Sequence, residues 1–205
     1  MVKNILWDFD GVILDSMDIR DSGFEKIFSK FDDSKTKLLL EYHRLNGGLS
    51  RYVKIRYFYE KILHQKIEDQ QVLEYAQRFS DIMRKDLVNP KNLISDTVDF
   101  IRINHHNYNF HIVSGSDQNE LRYLCNSLGI SNYFKTIHGS PTAKNILVKE
   151  LISDHGYSKK ETCLVGDSIN DYEASAVNNI TFYGYNNLTL ASKDNYIDKL
   201  TNFQF

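Results

Sequence analysis

The sequence predicts an α/β protein built on a parallel sheet, and three observations carry that prediction. An apolar run, Ile5-Leu6-Trp7, is followed by Asp8-Phe9-Asp10-Gly11. A strand buried on both faces reads as continuous hydrophobes, and acids at its carboxyl end fall in the crevice where open α/β sheets bind ligands. Two further short runs, Tyr108–Val113 and Thr162–Val165, also end in small polar residues that lead into a helical segment. After Pro90, helix-like and strand-like stretches alternate through Phe182, which calls for parallel pairing by crossover connections.

The elements follow in order. From about Asp15 to about Pro90 there is no strand-like run. Ile55, Phe58, Tyr59, Ile62 and Leu63, then Leu73, Ala76, Phe79 or Ser80, Met83 and Leu87, recur at three-and-four spacing, so a helical block is inserted after the first strand. The loop Asn46-Gly47-Gly48-Leu49-Ser50-Arg51 interrupts it. The second strand ends in Ser114-Gly115-Ser116 before a helix from Asp117 to Leu128, where Asp117 and Glu120 have capping-box spacing. Gly139-Ser140-Pro141-Thr142-Ala143-Lys144 opens another helix, with Ser140 as N-cap and Pro141 as its first residue. Lys144 then sits in the first turn, where the helix dipole disfavours a cation by ~0.3 to 1 kcal/mol; a nearby anion explains it, and a solvated lysine is the plainer alternative. The third strand ends in Gly166-Asp167-Ser168-Ile169-Asn170-Asp171, where Ser168 and Asp171 also read as a helix cap with an acid at its third position.

Composition excludes several classes. The chain has 205 residues, a net charge of −2 and 25% charged residues, with no basic stripe for nucleic acid. No apolar run approaches the roughly 20 residues of a membrane span, and Asp8 and Asp10 interrupt any signal-peptide pattern. A cytoplasmic protein, monomeric or a small homo-oligomer, is expected. Cys125 and Cys163 make neither a disulfide framework nor a zinc set and are expected as buried thiols. His105, His106 and His111 lack ligand-like companions and are expected to be solvated or packed.

Four strand-end motifs spread from Asp8 to Asp171 make the sequence resemble the haloacid-dehalogenase superfamily of hydrolases, in its phosphatase branch. The resemblance implies a three-layer doubly wound parallel sheet with an inserted helical cap. Residues 1–15 and 90–205 would be the core domain and residues 16–89 the cap, with hinges at Asp15-Ser16 and Val88-Asn89-Pro90. It also implies a Mg²⁺-dependent phosphatase acting on a small phosphorylated metabolite through an aspartyl-phosphate. A sugar-phosphate mutase and a non-catalytic phosphate-binding protein are the alternatives.

The resemblance and the chemistry together assign roles. Phosphate monoesters are among the slowest compounds to hydrolyse, needing accelerations up to on the order of 10²¹, while one general acid or base supplies ~10² to 10⁴, so several devices must act at once. Asp8 is the nucleophile, and a divalent cation lessens the repulsion between its carboxylate and the phosphate. Magnesium suits oxygen ligands from Asp8, the Asp10 backbone carbonyl, Asp167 and Asp171; Asp171 binds directly, or through water, or by fixing Lys144. Asp10 protonates the leaving alkoxide and later deprotonates water; dehalogenating relatives lack an acid there. Ser114 with the amides of Gly115 and Ser116 forms an anion nest at a helix start, or those residues merely cap the helix. Many relatives place the site lysine directly before the proline, so Lys149 and Lys135 are fallbacks to Lys144. Arg51 in the cap loop holds a second anionic group of the substrate, or is a helix-start arginine on a solvated face. Arg44, Tyr52 and Arg56 are weaker candidates.

Overall fold

A computed structural model describes residues 1–205. The chain forms one six-stranded sheet, every pair parallel, in the order β3-β2-β1-β4-β5-β6. The strands are β1 (Asn4–Trp7), β2 (Asn109–Asp117), β3 (Thr136–Ser140), β4 (Thr162–Gly166), β5 (Thr181–Tyr185) and β6 (Asn195–Ile197). The helices are α1 (Met17–Phe28), α2 (Asp33–Leu45), α3 (Arg51–Tyr57), α4 (Asp69–Asp86), α5 (Ser95–Asn104), α6 (Gln118–Ser127), α7 (Lys144–Asp154) and α8 (Ile169–Asn178). The first four form the helical insertion between β1 and the rest of the α/β unit.

Alternation along β1 divides the core. Ile5 and Trp7 point to a face that shares its apolar cluster with Phe100 and Ile101 of α5 and Leu121 and Leu124 of α6, while Leu6 points to a face covered by α7 and α8 through Val148, Leu151 and Ala174. The result is the three-layer, doubly wound α/β arrangement expected from the sequence. The first cluster does not stop at the sheet. Phe24, Phe28, Phe58 and Phe79 of the insertion belong to it, so insertion and sheet share one continuous apolar core.

β1 lies between β2 and β4, with Trp7 opposite Ile112 on one side and Val165 on the other. Asp8 and Asp167, each the first residue beyond its strand, and Ser114 within β2 therefore lie side by side at the same edge. This is the topological switch point, where the order reverses and a crevice opens.

Several elements differ from the sequence reading. The edge strands β3 and β6 carry no apolar run: Thr-Ile-His-Gly-Ser and Asn-Tyr-Ile are too polar or too short to signal burial. In α4 the buried face is Val72, Tyr75, Ala76, Phe79, Ser80 and Met83, whereas Leu73 is 53% exposed. The helical run around Ile55 is α3 followed by one π-helical turn, Phe58–Ile62. Cys125 and Cys163 are free and buried.

His111 is fully buried on β2, with Nδ1 against the Thr136 hydroxyl at 2.7 Å and Nε2 against the Tyr157 hydroxyl at 3.0 Å. Burial, then the neighbouring His155, push its pKa down to about 3. A histidine buried neutral costs stability once the unfolded chain protonates: the folded state holds full stability above about pH 6.5 and loses it as pH falls toward 3. At pH 5 this group alone should cost about 2 kcal/mol relative to pH 7. Urea unfolding at the two pH values should show a pH-dependent loss of stability that is smaller in His111→Phe than in the wild type by about that amount.

Candidate active site

β1 and β4 each end in an acid at the same edge, and α8 supplies a third. One carboxylate oxygen from each of Asp8, Asp167 and Asp171 lies within 4.8 Å of the other two. Gly11 makes that approach possible. Its φ is +75°, and a Cβ there would fall 1.9 Å from Asp167 Oδ2, so any larger residue would displace the carboxylate. Lys144 Nζ donates to Asp8 Oδ1 at 2.8 Å and pairs with Asp171 Oδ1. The lysine is the first residue of α7, with Ala143 as N-cap, so the helix starts three residues later than expected and not at Pro141. Lys149 and Lys135 are exposed, away from the acids.

The electrostatics describe a group of like charges held together. Burial and the charge of Asp171 push Asp8 up to about 7 against the opposing pull of Lys144, and burial and Asp8 hold Asp167 well above the usual carboxylate range. Despite its burial, Lys144 is held above the ordinary lysine value by Asp171 and Asp8. Three carboxylates against one ammonium leave two negative charges when all are ionised. An oxygen-only donor set with that imbalance fits a hard divalent cation, Mg²⁺ foremost. Asp171 Oδ2 also accepts from the Ser168 amide at 3.0 Å and hydroxyl at 2.6 Å. One oxygen of Asp171 thus serves the helix cap and the other meets Lys144.

Asp10 is turned away from the three acids. Its Oδ1 accepts from Ser16 Oγ at 2.5 Å and Arg20 Nε at 2.7 Å, and its Oδ2 from Ser116 Oγ at 2.5 Å. Burial would raise its pKa, but the Arg20 charge and these hydrogen bonds outweigh it and hold the carboxyl below the ordinary value. Ser114 Oγ accepts from the Ser116 amide at 3.1 Å. The expected nest at a helix start is corrected: Ser114, Gly115 and Ser116 are extended within β2, and α6 begins at Gln118 with Asp117 as its cap. The three residues still border the crevice, and Gly115 is where the insertion touches down. A Cβ there would meet the Gly48 carbonyl oxygen at 2.2 Å.

Arg51 departs from both readings of it. It is 4% exposed, its Nη1 donates to Glu120 Oε2 at 2.6 Å and Ser80 Oγ at 2.7 Å, its Nη2 donates to Glu120 Oε1 at 2.7 Å, and its guanidinium lies 4.6 Å from the Phe79 ring centroid. It is therefore neither on a solvated face nor free to grip an anion. Glu120, which spacing marks as a capping acid, keeps its amide on Asp117 Oδ1 at 3.0 Å but turns its carboxylate to two arginines, the second being Arg20 Nη1 at 3.1 Å. Of the weaker candidates, Arg44 pairs with Asp21, Arg56 with Asp69, and Tyr52 donates to Asp117 Oδ2 at 2.8 Å. Sequence reasoning missed Ser16, Arg20 and Lys54. Arg20 lies within α1 and Lys54 within α3, and no local signal in the sequence marks either side chain as facing inward.

Lys144, Gly115 and Ser140 also line a wider open groove with cap-loop residues Gly48 to Ser50 and with Asn170 and Glu173. No helix is long and apolar enough to cross a membrane.

Comparison with known proteins agrees with this geometry. The family described as haloacid dehalogenase-like hydrolase matches residues 5–185. No curated protein matches the sequence. Among solved structures, β-phosphoglucomutase from Clostridium difficile is similar with a TM-score of 0.76 at 16% identity, covering 100% of this chain and 94% of that one. A predicted phosphoglycolate phosphatase from Haemophilus somnus gives a TM-score of 0.74 at 15% identity, covering 98% and 96%. CbbY from Rhodobacter sphaeroides, in complex with phosphate, gives 0.73 at 16% identity over 98% and 96%. At these identities the structures share the fold. The family match spans most of the chain, and the protein belongs to the haloacid dehalogenase-like hydrolases.

Proposed function

We propose that the protein is a cytoplasmic, Mg²⁺-dependent phosphatase that hydrolyses a small phosphorylated metabolite through an aspartyl-phosphate at Asp8. The observation that carries this reading is an acid, Asp10, two residues beyond a buried Asp8 that Lys144 already holds. Loss of an alkoxide needs a proton, and loss of a halide does not.

In the first half-reaction an Asp8 carboxylate oxygen attacks phosphorus, the ester P–O bond breaks, and Asp10 delivers a proton to the departing alkoxide. In the second, Asp10 takes a proton from the attacking water, and the acyl-phosphate P–O bond breaks to return the Asp8 carboxylate. Lys144 fixes Asp8 and offers charge to the phosphoryl oxygens. Asp8, Asp167, Asp171 and the Asp10 carbonyl would hold Mg²⁺, which supplies charge neutralisation between nucleophile and phosphate. Held by Arg20, Asp10 is ionised, the form needed to accept a proton from water. Donation in the first half requires that the Arg20 contact loosen, which ties the acid's charge state to the position of α1.

Residues 16–89 act as a cap in this proposal and limit access of water. A second reading, phosphoryl return to substrate in a sugar-phosphate mutase, is favoured by the likeness to β-phosphoglucomutase.

Three measurements test these statements. Asp8→Asn should lower hydrolysis of the best ester by on the order of 10³-fold or more, and unchanged turnover would exclude the covalent route. Calorimetric titration should show Mg²⁺ binding that is lost in Asp167→Asn. Following free phosphate against isomerised sugar phosphate separates the two enzymes, since a mutase releases almost none.

A further inference from the structure

We propose that Arg20 and Lys54 form a subsite for a second anionic group of the substrate, lying on the leaving-group side of the scissile phosphate. The inference rests on the phosphatase reading above and names its substrate class: a compact phosphomonoester that also carries a carboxylate or a second phosphate.

The subsite is a narrow cleft between insertion and sheet, bordered by Asp10, Gly115 and Ser116 on one side and by Arg20, His43, Arg51 and Lys54 on the other. Its cations outnumber its anions. Arg20, Arg51 and Lys54 are all buried, and only Asp10 and Glu120 oppose them. Both terminal nitrogens of Arg51 are taken by Glu120 and Ser80, so the excess charge falls on the other two.

Arg20 is held at two points with one edge free. Nε is fixed on Asp10 and Nη1 on Glu120, while Nη2 is buried and donates to no acceptor in the protein. Lys54 is 3% exposed, and its one recorded hydrogen bond runs to a neutral acceptor, the Gly47 carbonyl at 3.1 Å. Burial and then the Arg20 charge push its ammonium down to about 7, with Arg51 adding to the effect, as expected of a buried cation among cations. His43 adds a third unmatched group: both ring nitrogens are buried without hydrogen-bond partners, and burial keeps the ring neutral. Buried donors are nearly always satisfied, so an unpartnered guanidinium nitrogen beside an under-neutralised ammonium marks a place where an anionic acceptor belongs.

The position sets the length of the ligand. Asp10, Gly115 and Ser116 border both this cleft and the phosphoryl-transfer site, so only a few atoms can separate the two anionic groups. Since Asp10 protonates the leaving oxygen and is itself bonded to Arg20, the leaving group's substituent points into the cleft.

The test uses the whole protein with Mg²⁺. Binding of phosphonoacetate and of methylphosphonate is measured by calorimetry for wild type, Lys54→Met and Lys54→Arg. Hydrolysis is compared for the phosphate esters of glycolic acid and of ethanol and for the bisphosphate ester of ethylene glycol. The wild type should bind phosphonoacetate at least tenfold more tightly than methylphosphonate. It should also hydrolyse at least one of the two esters with an anionic tail with at least tenfold higher kcat/KM than the ethanol ester, and the better of the two identifies carboxylate or phosphate as the group recognised. Lys54→Met should erase the preference and Lys54→Arg should retain most of it. Equal wild-type affinity for the two phosphonates overturns the subsite, a comparison that needs no variant to fold, and so does a preference that survives in Lys54→Met. A binding preference without hydrolysis of any ester supports the subsite and overturns the phosphatase reading instead.

Discussion

The arrangement depends on one constraint: ionised side chains withdrawn from water must be met by opposite charge at close range. At the carboxyl edge of the sheet, Asp8, Asp167 and Asp171 crowd around the single ammonium of Lys144. A few residues away, where the insertion leans on the sheet, the imbalance has the opposite sign. Asp10 stands at the junction, facing Arg20 with its carboxylate while Asp8, two residues earlier, faces Lys144. A polyanionic ligand with its counter-cation would satisfy both excesses at once, which is why the two imbalances read as one binding surface.

Topology places these groups without any long-range coincidence. With β1 between β2 and β4, the first residues beyond three adjacent strands emerge together, and α7 and α8, packed on each other and on one sheet face, present Lys144 and Asp171 from their first turns. The opposite face carries α5 and α6, and Glu120 in the first turn of α6 reaches across to two arginines of the insertion. That carboxylate fastens the insertion in one orientation. Its burial makes the link exacting as well as strong, because removing any member strands a charge away from water.

How much of this was legible in the sequence varies with the range of the interaction. The parallel sheet and the meeting of Asp8, Asp167, Asp171 and Lys144 could be read because each residue follows a local signal, an apolar run or a helix start. The edge strands escaped because a three- to five-residue polar strand looks like a turn. Arg51 was misjudged because its partner lies 69 positions away and Glu120 carries the spacing of a capping acid, a local pattern that the tertiary pairing overrides. Arg20 and Lys54 sit inside ordinary amphipathic helices, and no periodicity announces that a charged residue faces inward. The end of the second strand at Ser114-Gly115-Ser116 and the helix that Asp117 introduces were both legible, because small polar residues and a capping acid follow directly on an apolar run.

The shared apolar core of insertion and sheet sets how the molecule can breathe. Phe24, Phe58 and Phe79 belong to the same cluster as Trp7 and Phe110, so lifting the insertion as a rigid flap would expose aromatic surface as well as break ion pairs. Any opening of the insertion therefore carries the cost of wetting that shared surface. A drift in the insertion toward a new ligand is then felt in the sheet, which couples the tuning of selectivity to the survival of the fold.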